Sequence, residues 1–425
     1  MDSTAFLVIA LISIGAVASL LLIALFGPGH RYHLTKSVAL ELGSDEYVRL
    51  LEALSDAQAH AHTRVEALTN GENFYEAQLE AIRRARSSIN LEAYIFAKGE
   101  VTRRFVAAMA ERARAGVKVN VVLDAIGCFA TWSSYFADLK EAGGRVAWYH
   151  PLRPHTWPRI NNRTHRELLI IDGEIGFIGG AGFADHWYKS RRREPRWRDT
   201  VCRVTGEAVT GLQASFCENW LEASGEILAG KEYFPFPREE GGLVALVVNS
   251  SPSIGYSTRA RMLFQTLLGS GKKAIYMQTP YFLPDRGARD EMIRAVERGV
   301  DVRIIVPGPH HDHPLVRRAS RRLFGDLLRA GVKIYEYMPA MLHVKCLIVD
   351  HLWSVVGTTN FDNRSFGLND EVNLAVRDER LAARLLDDFK NDMAHSRLVT
   401  YENWRRRSIF ERCHEALGRL LERQQ

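Results

Sequence analysis

The chain has 425 residues, 46% hydrophobic and 25% charged, with a formal net charge of +6. Those proportions exclude a disordered or fibrous chain, and the length suits two ordinary domains or one bilobal unit. The positive balance favours an anionic partner, nucleic acid or an acidic membrane surface. The five cysteines (Cys128, Cys202, Cys217, Cys346, Cys413) are odd in number and lack a C-x-x-C pair, which suggests reduced, mostly buried thiols.

The first predicted element lies between Ser3 and Gly29, a stretch without Lys, Arg, Asp or Glu. Phe6 to Phe26 is long enough to cross a hydrocarbon core of about 30 Å as a helix, so residues 1–30 are expected to form a transmembrane anchor. A cleaved signal peptide would want a basic n-region, and only Asp2 and the amino terminus precede the apolar run. Arg31 and Lys36, with His30 and His33, follow the span, and the positive-inside rule then places the body on the cytoplasmic side as a single-pass inner-membrane protein. A membrane-proximal segment is expected over 31–70.

Most of residues 72–390 then reads as a duplication, expected as a first half over 71–235 and a second over 236–400. Helix patterns at Tyr75 to Ala85 and Arg259 to Leu268 precede strand patterns at Ser88 to Phe96 and Ala274 to Phe282. The helix patterns Val106 to Ala115 and Met292 to Arg298 lead through Gly116 and Gly299 into the strands Val117 to Leu123 and Val300 to Val306. Leu139 to Tyr149 parallels Leu328 to Tyr337. Alternating helices and apolar strands predict an α/β fold, two duplicated halves with mixed sheets covered by helices, packed about a pseudo-twofold axis.

Each half carries a histidine seven residues before an aspartate across an apolar run: His165-Arg-Glu-Leu-Leu-Ile-Ile-Asp172 and His343-Val-Lys-Cys-Leu-Ile-Val-Asp350. On an extended strand Lys345 shares a face with His343, and Glu167 with His165. Gly179-Gly-Ala-Gly182 and Gly357-Thr-Thr-Asn360 follow. Two imidazoles suit a two-step displacement at phosphorus, one attacking and one acting as acid. Lys345 and Asn360 can meet the non-bridging oxygens. Each histidine wants a carboxylate to fix its tautomer, and Asp199 and Glu371 are the candidates. Glu167 and Gly182 replace the cation and amide of the second half, which would weaken phosphate binding by several kcal/mol if both face it. Arg163 could compensate, whereas Arg166 should point to the opposite strand face. The tract His310-His-Asp-His313 fits no closed zinc pattern and is expected in a loop at the site mouth contacting a headgroup.

The second motif, His343, Lys345 and Asp350 with Gly357 to Phe366 and Asn369-Asp-Glu371, resembles the phospholipase D superfamily. More narrowly, residues 70–405 resemble its bacterial cardiolipin synthases, through Tyr281-Phe-Leu-Pro-Asp285, Arg298 to Arg303 and Trp197-Arg-Asp-Thr200 as well. The resemblance implies a catalytic set of His165, His343, Lys345, Asp172 and Asp350, with Ser365 supporting and no metal or cofactor required. His165 would be the nucleophile and His343 the acid. The two motif aspartates are expected to work in the turn and packing at the strand end. The implied reaction passes a phosphatidyl group from one phosphatidylglycerol to a second, releasing glycerol and giving cardiolipin; anionic phospholipid and the bilayer are the expected partners, and nucleic acid is not. Rival readings are a phospholipase D or nuclease of the same fold, the nuclease expected to lack a span and to show a basic groove with stacking aromatics, and a non-catalytic lipid-binding protein with a decayed first motif.

The arginines at 191–193, 317–318 and 321–322 would form a solvated face or hold an anionic bilayer. The segment 401–425 is expected as an amphipathic helix, with Phe410, Cys413, Leu417, Leu420 and Leu421 at helical spacing among arginines. It would pack on the body or lie in the membrane interface.

Overall fold

The computed structural model describes residues 3–26, 33–35, 39–153, 159, 161–191, 194–236, 241–253 and 258–407. The first half contributes β1 (Ala59–Thr69), β2 (Ser88–Ala93), β3 (Lys118–Asp124), β4 (Arg145–Tyr149), β5 (Leu168–Ile171), β6 (Ile175–Gly179) and β7 (Thr200–Gly206). The second contributes β8 (Leu243–Ser250), β9 (Ala274–Gln278), β10 (Asp301–Pro307), β11 (Lys333–Tyr337), β12 (Cys346–Val349), β13 (Trp353–Gly357), β14 (Glu371–Arg377) and the extra edge strand β15 (Ser396–Val399).

All fifteen strands join one mixed sheet, ordered β15-β11-β10-β9-β12-β13-β14-β8-β1-β7-β6-β5-β2-β3-β4. From β1 outward the order is that from β8 outward, so one pattern is repeated in mirror order from the β1/β8 seam. In each half three consecutive strands, β2-β3-β4 and β9-β10-β11, outermost but for the added edge strand β15, are parallel, as helical crossovers require. The rest are antiparallel. β8 meets β1 (Ala59 opposite Leu246) with a bulge between His60 and Thr63, and this antiparallel pairing joins the halves.

β2, β5, β12 and β13 are buried along their whole length and β9 at every residue but the half-buried Tyr276, the sign of strands covered on both faces. One face of each half has its own apolar core, around Phe74, Phe105 and Phe183 in the first and Leu263, Ile304 and Phe361 in the second. The opposite face is a single core shared by both halves, in which Leu212 and Phe216 of helix Ala208–Ser224 join Leu385 and Phe389 of helix Glu379–Ala394. The crossover helices Glu100–Arg114 and Arg286–Glu297 are each followed by the glycine read from the sequence, at φ 89 (Gly116) and 88 (Gly299), where a side chain would be strained.

The N-terminal helix Ser3–Phe26 runs 24 residues without a charged residue. Many of its side chains fall outside the described residues, and among the described residues no helix is long and apolar enough to cross a membrane. At the other end, the expected amphipathic helix lies outside the described residues beyond Arg407. What precedes it is a short helix, Tyr401–Arg405, whose Trp404 packs on Gly325 and donates from Nε1 to the Arg321 carbonyl at 2.6 Å.

Candidate active site

Each histidine sits just before a short buried strand, β5 or β12, and is held there by the other half. The His165 amide donates to the Asp370 carbonyl (2.9 Å), and its Nδ1 lies 3.0 and 3.1 Å from the two carboxylate oxygens of Glu371. The His343 amide donates to the Arg198 carbonyl (2.8 Å), and its Nδ1 lies 2.9 Å from Asp199 Oδ2. The carboxylates were anticipated; the crossing was not. With Nδ1 committed to a carboxylate, Nε2 of each ring is turned away from it and is the nitrogen left for chemistry.

Both carboxylates are fully buried and further oriented. Thr358 donates to Glu371 Oε2 at 2.5 Å, and Asn369 Nδ2 lies 3.4 Å from its Oε1. Asp199 accepts from the Thr200 amide (2.8 Å) and from Trp187 Nε1 (3.1 Å). Burial raises Asp199 to about 7, against the opposing pull of Lys345. Lys345 Nζ lies 3.1 and 3.2 Å from the ring nitrogens of His343. Burial lowers Lys345, with Asp199, Glu371 and Glu167 opposing. Burial first and the Lys345 charge second push His343 well below its usual value, which favours its neutral form. Asn360 is buried, its amide held by Ser365 Oγ at 3.2 Å.

Asp172 and Asp350, counted with the catalytic set in the sequence, stand elsewhere. Both follow their strands in the left-handed region, at φ 55 and 53. The Asp172 carboxylate accepts from the amides of Arg86, Ser87 and Ser88, and that of Asp350 from Lys272, Lys273 and Ala274. They pin the start of β2 and β9 to the end of the histidine strand, which is the turn role expected of them and places them on backbone rather than on either imidazole. Arg166 is fully buried against helix Ala208–Ser224, donating to the Ser215 carbonyl (2.6 Å) and Glu218 (3.1 Å). Arg163 is bound by Asp124 and by the carbonyls of Tyr149, His150 and Asn162, so it does not stand in for a motif lysine. Arg317 and Arg321 are not a solvated face either. With Arg397 they surround the buried carboxylate of Glu336.

Several site neighbours were not read from the sequence. Trp187 and Trp197 lie 5.3 and 5.5 Å from the His343 ring, and Tyr94 lies 5.2 Å from that of His165. Trp187 is the repeat counterpart of Ser365, so the duplication itself held the signal that would have found it. The tract 310–313 also reaches the site: Asp312 accepts from Tyr281 Oη, and its charge acts on His343, opposing the low value. Among the described residues no cluster of three or more His, Cys, Asp or Glu could hold a metal ion.

A two-histidine centre at the junction of two copies of an α/β half defines a phospholipase D-like enzyme, built to displace groups at phosphorus. The family described as "Cardiolipin synthase, PLD-like domain" matches the chain twice, at residues 79–194 and 264–393. A cardiolipin synthase of Halalkalibacterium halodurans is 34% identical over 88% of this chain and 74% of its own. The major cardiolipin synthase of Bacillus subtilis is 35% identical over 84% and 74%. Among solved structures, the phosphatidylserine synthase of Haemophilus influenzae superposes with a TM-score of 0.65 at 15% identity, covering 89% of this chain and 96% of that one, a likeness of fold. The chain belongs to the cardiolipin synthase family.

Proposed function

We propose that the chain moves a phosphatidyl group between two phosphatidylglycerol molecules, giving cardiolipin and glycerol. The observation that carries this reading is the pair of imidazoles, each fixed through Nδ1 by a carboxylate of the opposite half, with the Lys345 ammonium against the ring of His343. In this reading the site is built where the two halves meet, each half supplying one histidine and the carboxylate of the other.

In the first step the Nε2 lone pair of His165 attacks phosphorus, the bond to the glycerol oxygen breaks, and His343 gives that oxygen its proton. Glu371 stabilises the positive charge then carried by the phosphorylated ring. In the second step the hydroxyl of another phosphatidylglycerol gives its proton to His343 and attacks phosphorus. The phosphorus–nitrogen bond breaks and His165 is restored. Lys345 and Asn360 hold the non-bridging oxygens throughout. The phosphodiester's own negative charge opposes the Lys345 charge at His343, so the acid gains its proton when substrate arrives. The preference of His343 for its neutral form also favours a second reading with the roles exchanged, His343 attacking and His165 protonating.

Helix Ser3–Phe26, about 36 Å long at 1.5 Å per residue, serves in this reading as the membrane anchor that brings the site to its lipid, with the body on the cytoplasmic side. Two measurements test the proposal. With phosphatidylglycerol vesicles the expected products are cardiolipin and free glycerol; phosphatidic acid in their place would make the enzyme a hydrolase. Protein quenched in detergent at mildly alkaline pH, which spares the acid-labile phosphorus–nitrogen bond, then digested and mapped, should carry the phosphatidyl group on His165, and that group on His343 would exchange the roles.

A further inference from the structure

The first half departs from the second at two positions that touch. Glu167 stands where the repeat has Lys345, and Gly182 where it has Asn360. A Cβ at 182 would lie 3.0 Å from Glu167 Oε1 and 2.7 Å from the Ile95 carbonyl oxygen, so the glycine leaves room for the carboxyl. Glu167 is only 6% exposed. Its Oε1 accepts from the amides of Tyr94 (3.2 Å) and Ile95 (3.1 Å), whereas its Oε2 is buried without a hydrogen-bond partner. The repeat counterpart of Tyr94 is Pro280, which has no amide hydrogen to satisfy. Carboxyl, paired amides and glycine are thus one matched set. A lysine at 167 would leave the two amides without their acceptor.

An ionised carboxylate with one oxygen bare in a buried site is costly; a neutral acid needs only an acceptor for its O–H. Burial pushes Glu167 well above the usual carboxylate range, with the Ile95 amide and the Lys345 charge opposing. The effect of Lys345 on Glu167, and of Glu167 on Lys345, places these repeat counterparts near one another. Strand alternation puts Glu167 on the His165 face.

We propose that Glu167 works as a neutral carboxylic acid whose Oε2–H donates a hydrogen bond to a non-bridging oxygen of the bound phosphodiester, opposite the Lys345 ammonium. The proposal rests on the phosphatidyl-transfer reading. The clamp then holds a singly charged phosphodiester with one formal cation and one neutral donor, where a symmetric repeat would have used two cations.

The test uses the full chain in phosphatidylglycerol vesicles, comparing the unaltered protein with Glu167→Gln and Glu167→Met, each checked for folding by thermal melting. Glutamine keeps an acceptor for the two amides and offers a weaker donor, so kcat should fall about tenfold; methionine offers neither and should lose about 10²–10³, as when one oxyanion donor is removed. In the unaltered enzyme kcat should fall at alkaline pH as the acid ionises, a limb that glutamine removes or displaces. Difference infrared spectra should show a protonated carboxyl C=O stretch that shifts when phosphatidylglycerol is added and is missing in Glu167→Gln. Glutamine as inactive as methionine, with kcat of the unaltered enzyme rising with pH, would make Glu167 a working anion and overturn the proposal. An unchanged pH profile in Glu167→Gln with no lipid-dependent infrared shift would reduce Glu167 to a cap for two amides, which also overturns it. If the unaltered enzyme makes no cardiolipin, the transfer reading falls on its own, and the infrared shift still decides whether Glu167 meets a phosphodiester.

Discussion

Asp172 of the first motif and His343 of the second show how differently the two ends of a repeated motif are employed. The Asp172 carboxylate serves three backbone amides, so Asp172→Ala should lower unfolding free energy by about 1–3 kcal/mol. Turnover per folded molecule should stay within a few-fold, checked by denaturant titration beside a phosphatidylglycerol assay. His343→Ala should leave the fold intact and abolish turnover; product within a few-fold of the unaltered enzyme would sink the two-histidine mechanism. Lys345 holds a proton away from His343, because a nearby cation disfavours a second one. Lys345→Met should therefore raise the pH at which His343 protonates, seen by nitrogen-15 NMR of labelled histidine, while activity falls. At this scale the histidines, Lys345, Asn360 and both carboxylates could be read from the chain. The environment of Glu167 could not, because its reason lies in Tyr94 and Ile95, whose amides are invisible to any side-chain pattern. Restoring a lysine there, the natural experiment from sequence alone, strips those amides of their acceptor.

Strands and helices decide which carboxylate each histidine meets. Asp199 ends the approach to β7 and Glu371 begins β14, and each follows its own half's motif at a comparable distance, so the linear order left open which histidine each would meet. The β1/β8 seam instead brings β7 and β14 near the centre of the sheet, each flanking a seam strand, and each carboxylate meets the other half's histidine. The expected signature is reciprocal. Glu371→Gln should slow formation of phosphohistidine on His165, and Asp199→Asn should impair proton transfer by His343, both read by single-turnover trapping. The opposite assignment would exchange the roles of the two histidines on the same crossed geometry. The repeat pattern, the succession of helices and strands along each half and the glycines after the crossover helices were all legible, since hydrophobic period and turn chemistry encode them locally. The seam was not, because it depends on how two finished sheets meet.

For the molecule as a whole, the net charge of +6 and the proposed N-terminal anchor would be two separate ways of meeting a bilayer. Removing residues 1–30 should abolish tight attachment and leave weaker, salt-sensitive binding to anionic vesicles, measured by co-sedimentation across ionic strength. Binding by the shortened protein that ignored salt would refute the electrostatic part. Not every arginine stands as a separate surface charge: Arg317 and Arg321 share the buried Glu336 carboxylate with Arg397, which the spacing of 317–318 and 321–322 gave no means of telling.

The partners of the two histidines also carry a consequence for how the protein is made. His165 and Glu371 are 206 residues apart in the chain, and His343 and Asp199 are 144 apart. During synthesis the first half can close its strands long before Glu371 leaves the ribosome, yet its histidine has no carboxylate until then. Contacts of such long range form late, so competence should lag behind secondary structure in refolding. A prematurely terminated chain would carry a well-formed half and no chemistry, a safeguard against loose phosphodiester cleavage in the membrane that feeds it.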